Sequence, residues 1–391
     1  AYLQDGFFAS QQVFGRPFLS VLVAIVHQIT GLSLVHAGLL LNSLFYALLC
    51  AAFVDIVRRM NGSRRVQIFA VVVILSQPVI GDYRSSIMRD PAFWACMLMA
   101  FRALLLYTRG FALGHQVQWF AWILGAALFR FEGLFFAALA PLALLFAGDR
   151  MTRWRACVRL LVPQLILISA LLVSVWIYQQ VVDPGARLFP AIEKYLGSLV
   201  TFPDRFAELA SDTGEVLLRF TAREDAAVAT LAGLFAILLV NICRAICWPW
   251  VLVLLLGWHR DLCSRVSTRD AVLINAHLLI SLLYLSLYLV LRQFVLERYV
   301  SIFALFVLLY VPFILDALWS GARGKFTRFA VVAVLLGMSA DMLHNHNDRK
   351  AYIHDAAQWL AENTADGASL LTNDRYIAYF SNKQLEWTRG K

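Results

Sequence analysis

Apolar residues in this chain are arranged in blocks of roughly 15–25, the length at which an α-helix crosses ~30 Å of hydrocarbon. Such blocks recur along most of its 391 residues, of which 61% are apolar and only 15% are charged. Lipid offers backbone N–H and C=O groups no hydrogen-bond partner, so each block must satisfy them within a helix. A soluble domain normally has about 25% charged residues. The sequence therefore predicts an all-α polytopic membrane protein with about ten transmembrane helices.

One transmembrane domain is expected over residues 1–343. Its predicted spans are Ser33–Val57, Val66–Ile80, Pro91–Tyr107, Trp119–Phe129, Gly133–Ala147, Leu160–Tyr178, Ala226–Gly257, Ala271–Leu291, Tyr299–Trp319 and Phe329–Met342. The seventh block is too long for one straight helix, and we expect Pro249 to break it. Residues 1–32 are predicted to form a first outer loop, in which Pro17–Thr30 is a short interfacial or re-entrant helix. Residues 179–225 are predicted to form a second, long outer loop.

The segment 344–391 is more polar and is predicted to be an extracytoplasmic tail. Its periodicity predicts a helix over Ala351–Thr364 and a strand over Ser369–Thr372, the start of a small α/β unit. His344, His346 and Asp348 form a cluster at the start of this segment. We interpret the cluster as part of a polar linker and not as a metal site. Because the chain has no initiator Met and the α/β unit does not close, we expect a span to be missing before it and part of the tail after it.

Basic side chains cluster in short connections that alternate along the predicted spans. They are Arg58, Arg59, Arg64, Arg65, Arg102, Arg109, Arg150, Arg153, Arg155, Arg159, Arg260, Arg265, Arg269, Arg323, Lys325 and Arg328. All fall on one side, which the positive-inside rule makes cytoplasmic. The net charge of +9 therefore reflects membrane orientation. The sequence shows no basic face with interleaved aromatics, which excludes a nucleic-acid partner from the prediction.

Four charged groups are expected on the opposite, outer face, at the mouths of helices, where charges are costly and often functional. The groups are Asp5; the loop Asp82, Tyr83, Arg84, Arg89 and Asp90; the turn Arg130 and Glu132; and the pair Arg298 and Tyr299. A carboxylate at a membrane surface can take a proton from a hydroxyl group, as a general base does. Guanidinium groups beside a helix N-terminus suit a phosphate.

A structural interpretation of each group stays open. Asp5 can be a helix cap or a solvated loop acid, and Asp90 can cap the helix that Pro91 begins. The turn can be an Arg130–Glu132 ion pair that satisfies itself at the lipid boundary. Arg298 and Tyr299 can be interfacial anchors.

In this order, the short motifs resemble the GT-C superfamily of membrane glycosyltransferases, which includes protein O-mannosyltransferases and the aminoarabinose transferases of lipid A. The similar segments are Asp5 with Gly15-Arg16-Pro17-Phe18-Leu19, Asp90-Pro91, Arg130-Phe131-Glu132-Gly133, Arg298-Tyr299 and the tail Tyr352–Thr372. They cover nearly the whole chain. One departure is Gly6 after Asp5, where the family often has Asp-Glu.

The resemblance implies an inverting glycosyltransferase that moves a sugar from a polyprenyl-phosphate donor to a glycan, lipid or protein acceptor. Asp5 would be the general base, and Asp82 and Asp90 are further catalytic candidates. The donor phosphate would be bound by Tyr83, Arg84, Arg89, Arg130, Glu132, Arg298 and Tyr299. The resemblance also implies a multi-pass protein of a bacterial inner membrane whose active site faces the periplasm. A divalent metal is left open.

Two other functions stay open. A secondary transporter would place ionisable groups near the bilayer midplane, with broken helices in paired repeats. The predicted span interiors are almost free of acids, although the expected break at Pro249 favours a transporter. A non-catalytic scaffold that binds lipid-linked glycans would keep the arginines and tolerate the loss of Asp5.

Overall fold

The computed structural model describes residues 3, 6, 10, 17–84, 86–146, 150–181, 197–321, 325–343, 351–365, 368–372 and 375–385. Contacts divide the chain into two compact units, Ala1–Ser339 and Ala340–Lys391. Helices account for nearly all regular structure in the described residues, which confirms the all-α class.

The first unit is built from helices. Its α-helices are α1 (Phe18–Thr30), α2 (Leu34–Arg59), α3 (Arg64–Leu75), α4 (Pro78–Tyr83), α5 (Asp90–Gly110), α6 (Leu113–Phe129), α7 (Glu132–Leu139), α8 (Arg150–Val181), α9 (Phe202–Val216), α10 (Ala226–Ile246), α11 (Trp248–His259), α12 (Thr268–Arg292), α13 (Glu297–Leu308), α14 (Val311–Gly321) and α15 (Lys325–Leu343). In the part of the unit that the structure describes, 3₁₀ helices lie between them at Ala140–Phe146, Phe220–Asp225 and Leu262–Arg265.

Several of these helices are long and apolar enough to cross a bilayer. Within the described residues, four segments pass on length and composition: α2, α5, the continuous segment Phe220–Ile246, and α12. A fifth span results if α13 and α14, which bend by 41° at their junction, count as one. Shorter apolar helices fill other predicted blocks, at Phe18–Thr30, Glu132–Phe146, Trp248–His259 and Thr327–Ala340. The prediction of an integral multi-pass membrane protein is therefore confirmed.

The long seventh block is broken as its proline predicts. The break lies at Cys247, whose φ of 76° ends α10, and Pro249 lies in the first turn of α11. Proline is tolerated there because the first turn of a helix has no intrahelical partner for its N–H groups.

Two other predicted spans are also discontinuous. The block Val66–Ile80 ends as α3 at Leu75 and resumes as the short helix α4, which Pro78 begins. The block Tyr299–Trp319 forms α13 and α14 instead of one straight helix, and Pro312 is the second residue of α14. In both cases the second helix has a proline in its first turn, where its ring is tolerated, although the same residue would disrupt the interior of one continuous helix.

Helix α5 lies at the centre of the first unit, between α2 and α6. It is buried on nearly every side, as expected for a helix that is apolar all round. Halfway along α5, the ring of Phe101 makes edge-to-face contacts with the rings of His277 and Phe306, at centroid distances of 4.9 and 5.3 Å. This packing fixes the axis of α5 and with it the position of its first residue, Asp90.

The other end of the bundle is held by ion pairs. Asp55 of α2 accepts hydrogen bonds from Arg59 at 2.8 Å and from Arg102 of α5 at 2.5 Å. Arg65 donates to Asp316 at 2.5 Å and so ties α3 to α14. These arginines belong to the set that the charge pattern assigns to the cytoplasmic side.

The second unit is a small α/β structure. Helix α16 (Ala351–Asn363) precedes strand β1 (Ser369–Leu370), and α17 (Arg375–Phe380) precedes strand β2 (Gln384–Leu385). The two strands pair in parallel, with Ser369 opposite Gln384. A helix followed by a strand is therefore present where the sequence predicts them. The linker at 344–350 lies outside the described residues.

Candidate functional site

Three predicted site residues lie at or next to the ends of helices. Asp90 is the first residue of α5, Arg130 follows the last residue of α6, and Arg298 is the second residue of α13. No side-chain hydrogen bond caps α5, so the expectation that Asp90 acts as a helix cap is wrong. Its carboxylate instead hydrogen bonds to Arg130, which gives a buried charge the partner that it needs.

Arg130 is the centre of a buried charge cluster. It donates from Nη1 to Asp90 Oδ1, from Nη2 to Glu132 Oε1, and from Nε to the same Glu132 oxygen at 2.9 Å. The exposed fractions of Arg130, Asp90 and Glu132 are 5%, 4% and 4%. Two carboxylates therefore hold one guanidinium group in a fixed orientation. The ion pair between Arg130 and Glu132 that the sequence suggested is present, and Asp90 of α5 also binds Arg130.

Gly133 lets this turn form. A Cβ atom at Gly133 would lie 2.5 Å from Ala127 N and 2.7 Å from Ala127 Cα. Both are backbone atoms of α6, so no side-chain movement could make room. The glycine in Arg130-Phe131-Glu132-Gly133 therefore allows α7 to pack directly against α6, which places Arg130 and Glu132 at the same helix mouth.

The ring of Tyr299 contacts two guanidinium groups. Arg130 Cζ lies 4.7 Å from the ring centroid and Arg298 Cζ lies 5.2 Å from it, both within cation–π distance. Arg298 Nη2 also donates to Tyr299 Oη at 3.3 Å. Tyr299 in turn packs on Tyr288 of α12, with ring centroids 5.0 Å apart. Aromatic contacts thus bring two like charges into one small region.

A cavity of about 240 Å³ opens beside these groups. Its polar lining is Ser20, Arg89, Asp90, Arg130, Arg298 and Tyr299. Its apolar lining is Leu19, Ile87 and Met88. Leu19 and Ser20 belong to α1. This helix packs against the end of α6, where the rings of Phe18 and Phe129 make an edge-to-face contact with centroids 5.0 Å apart. Three guanidinium groups and one carboxylate therefore face a single cavity, contributed by residues far apart in the sequence.

The remaining predicted residues of the second group lie on α4 or just after it. Asp82 and Arg84 are exposed, and neither lines the cavity; Tyr83 is half-buried. Burial raises the pKa of Tyr83, the guanidinium of Arg298 opposes that shift, and Glu297 and Asp90 add to it. Tyr83 is therefore a neutral hydroxyl group close to the charged cluster.

Asp5, the predicted general base, lies outside the described residues, as do most of the residues before Pro17. Its place relative to the cavity stays a prediction. Part of the long outer loop, residues 182–196, lies outside them as well. Among the described residues, no group of three His, Cys, Asp or Glu side chains could hold a metal ion.

Sequence reasoning missed Ser20, which lines the cavity, and it also missed Asn42 of α2. Its side chain is 1% exposed, and Nδ2 donates to the backbone oxygen of Ser86 at 2.5 Å. An amide inside an apolar helix is the signal that could have revealed it, because such a group needs a partner in lipid. Phe93, whose ring lies 5.5 Å from Arg130 Cζ, carried no signal in the sequence.

The chain was compared with protein families, curated proteins and solved structures. No protein-family description matches the chain, and no curated protein matches it. Among solved structures, the chain is similar to the crystal structure of ArnT from Cupriavidus metallidurans bound to undecaprenyl phosphate. The similarity covers 95% of this chain and 75% of that chain, with 15% sequence identity and a TM-score of 0.38. A match at that identity and score assigns no function.

Proposed function

We propose that this chain is an inverting glycosyltransferase that moves a sugar from a polyprenyl-phosphate donor to an acceptor hydroxyl group at the outer face of the membrane. The observation that carries the proposal is the cavity that Arg89, Asp90, Arg130, Arg298 and Tyr299 line together. Charged side chains near a membrane are costly and are retained where they bind or react. The motifs resembling the GT-C superfamily contribute most of these residues.

Arg298 is proposed to bind the donor phosphate. In the described part of the chain it makes no ion pair, and its Nη2 atom donates a hydrogen bond to the Tyr299 hydroxyl group. Its Nε atom is buried without a hydrogen-bond partner there. An anion in the cavity would satisfy that donor and neutralise the charge, and the first turns of α5 and α13 add their helix dipoles.

The size of the cavity fits a sugar-phosphate head group. Its volume of about 240 Å³ exceeds that of a water molecule, ~30 Å³, several times over. It falls below the ~300–1,000 Å³ typical of sites that enclose drug-sized ligands. A polyprenyl chain would therefore remain in the lipid, with only the head group bound by the polar residues.

The proposed reaction is a single displacement at the anomeric carbon. The acceptor oxygen forms a bond to that carbon while the bond to the phosphate oxygen breaks, which inverts the configuration. The acceptor proton passes to the carboxylate of Asp5, the general base that the family resemblance implies. Polyprenyl phosphate leaves with the bonding electron pair, and Arg298 and Arg89 stabilise the charge that develops on it.

Arg130 and Asp90 are proposed to fix the electrostatics of the site and not to move protons. Asp90 already accepts a hydrogen bond from Arg130, and Arg130 is also held by Glu132. A guanidinium oriented before the donor binds needs no reorganisation in the transition state, which is where fixed charges contribute most to rate. Asp82, Tyr83 and Arg84 lie on α4 or just after it and are proposed to contact the acceptor or the rest of the donor.

The test is release of polyprenyl phosphate by purified protein from a polyprenyl-phosphate-sugar donor, together with analysis of the anomeric configuration of the product. Wild type is expected to turn over and to give the inverted anomer. Asp5→Asn is expected to lose at least ~10²-fold in kcat, because an amide cannot accept the proton. Asp261→Asn, at an exposed position between α11 and α12, is the matched control. Full activity in Asp5→Asn would remove Asp5 as the base.

A secondary transporter is the second candidate, because helices are interrupted at Cys247 and at the 41° bend between α13 and α14. Interrupted helices are typical of transporter substrate sites. Proteoliposomes separate the two functions: a transporter moves solute without consuming the donor, whereas a transferase releases polyprenyl phosphate. Solute flux without release would overturn the proposed function.

A further inference from the structure

The loop that brings Arg89 and Asp90 to the cavity rests on one face of α2. Asn42 of that face donates from Nδ2 to Ser86 O at 2.5 Å. Its neighbour one turn earlier, Gly38, lies against Ile87. Positions i and i+4 of a helix lie on the same face, so Gly38 and Asn42 are neighbours on the surface of α2. They contact two consecutive residues of the loop.

The close contact with Ile87 depends on the absence of a side chain at Gly38. A Cβ atom there would lie 2.8 Å from Ile87 Cδ1, 3.0 Å from its Cγ2 and 3.1 Å from its Cγ1. All three approaches are closer than ordinary van der Waals contact, so a larger residue at 38 would push Ile87 away. Ile87 itself lines the cavity. A change on α2 therefore reaches the site through one side chain.

The loop depends on such contacts because it has no regular structure of its own. Helix α4 ends at Tyr83 and α5 begins at Asp90. Between the two, Ser86 N donates to Tyr83 O at 3.0 Å, which forms a single turn. The residues that follow, Met88, Arg89 and Asp90, all line the cavity. Their placement is therefore set largely by where Ser86 and Ile87 are held.

We propose that Gly38 and Asn42 are positioning residues that dock the loop 86–89 on α2 and so set the geometry of Arg89 and Asp90 in the cavity. The consequence for catalysis rests on the proposed function, whereas the docking itself does not. The chemistry is a buried amide donor on α2 that hydrogen bonds to a backbone carbonyl of the loop.

Asn241 of α10 provides a matched comparison. It is also a buried asparagine in an apolar helix, with 9% of its surface exposed. Its Nδ2 donates to Ile237 O, one turn earlier in its own helix, at 2.8 Å. Replacing either asparagine with Leu removes one amide from a membrane helix, but only Asn42→Leu removes a bond to the loop.

The first experiment measures opening of the loop without using activity. A Met88→Cys variant is labelled with a small maleimide in detergent, and the rate is corrected for the six native cysteines with the parent protein. Adding Asn42→Leu is expected to raise the labelling rate about three- to tenfold, since one lost hydrogen bond shifts the opening equilibrium by that factor. Adding Asn241→Leu is expected to leave it unchanged. Equal rates in the two variants would overturn the docking.

The second experiment is a double-mutant cycle. Gly38→Ala is expected to raise the Met88→Cys labelling rate in the same way, but to have no effect in an Ile87→Ala background, where the clashing atoms are gone. Gly233→Ala, at a helical position of α10 with no atom within 4 Å of the added Cβ, is the control. Additive effects of Gly38→Ala and Ile87→Ala would show that the two residues do not act through their contact.

Turnover connects the docking to catalysis. Asn42→Leu is expected to lower kcat with the donor about three- to tenfold. The melting temperature is expected to match that of Asn241→Leu, a result that a purely structural role would not give. Faster labelling with unchanged kcat would overturn the positioning role. If labelling responds as expected but wild type releases no polyprenyl phosphate, the proposed function fails and the docking stands.

Discussion

The guanidinium group of Arg130 binds the carboxylate of Asp90, forty residues earlier in the chain, at a point where two helices begin. Both groups are almost fully buried, so their mutual attraction offsets part of the cost of removing two charges from water. This pair joins the turn between α6 and α7 to the first residue of α5. Two motifs that are far apart in the sequence, one around Asp90 and the other around Arg130, therefore line the same cavity.

Removing Arg130 should therefore destabilise the fold. In Arg130→Met, Asp90 and Glu132 lose their partner while they remain buried, and we expect a loss of about 3–5 kcal/mol in the free energy of unfolding. Denaturant titration in detergent measures it. The control is Arg65→Met, which breaks the half-exposed pair with Asp316 and should cost about 0–1 kcal/mol. Similar losses in the two variants would contradict the buried cluster.

Gly133→Ala should disturb the site by moving backbone. Its Cβ would overlap Ala127 N and Cα, so α7 must shift away from α6 and carry Glu132 with it. We expect a loss of about 1–3 kcal/mol in stability and a larger proportional loss of turnover. Gly233→Ala, where nothing lies within 4 Å, should be neutral or slightly stabilising. A fully active Gly133→Ala protein would show that close packing of the turn is not required.

Arg298→Gln should weaken catalysis without unfolding the protein, because Arg298 makes no ion pair among the described residues. Loss of one fixed donor to a developing anion typically costs ~10²–10³-fold in kcat. Arg260→Gln, at an exposed arginine after α11, is the control and should retain activity. Steady-state kinetics with the lipid-linked donor give the comparison. Arg84→Gln in the same assay tests whether that exposed arginine also acts on the donor.

The two ends of the bundle should lie on opposite sides of the membrane. Asp82 on α4 and Ser264 between α11 and α12 are both exposed and suit single cysteine substitutions. In right-side-out vesicles, an impermeant maleimide should label Asp82→Cys and leave Ser264→Cys unlabelled, as the arginine distribution predicts. Labelling of Ser264→Cys alone would reverse the orientation.

The helical membrane class followed from composition and block length, since lipid permits so few alternatives for the backbone. The break near Pro249 was also predictable, because proline acts locally. The 41° bend before Pro312 was not predicted, although the same reasoning applies to it. A proline near the middle of a block indicates a break, but periodicity does not give its angle.

The sequence indicated which residues belong to the candidate site, but it did not indicate which of them contact one another. Charged residues at helix mouths identified Asp90, Arg130 and Arg298, because charges in apolar blocks are conspicuous. Their pairing depends on how α5, α6 and α13 pack, which sequence spacing does not specify. The same reasoning could not separate Arg89, which lines the cavity, from Arg84, which is exposed. The two arginines lie in one irregular loop, and no periodicity assigns them to faces.

The most direct test is a binding titration of polyprenyl monophosphate and of uncharged polyprenol of equal length to the purified protein. Wild type is expected to bind the phosphate in preference to the alcohol. Arg298→Gln should lose about tenfold or more of that preference, because a charge-assisted hydrogen bond contributes ~1.5–3 kcal/mol. Equal binding of phosphate and alcohol by wild type, or an unchanged preference in Arg298→Gln, would contradict a phosphate-binding cavity at these helix mouths.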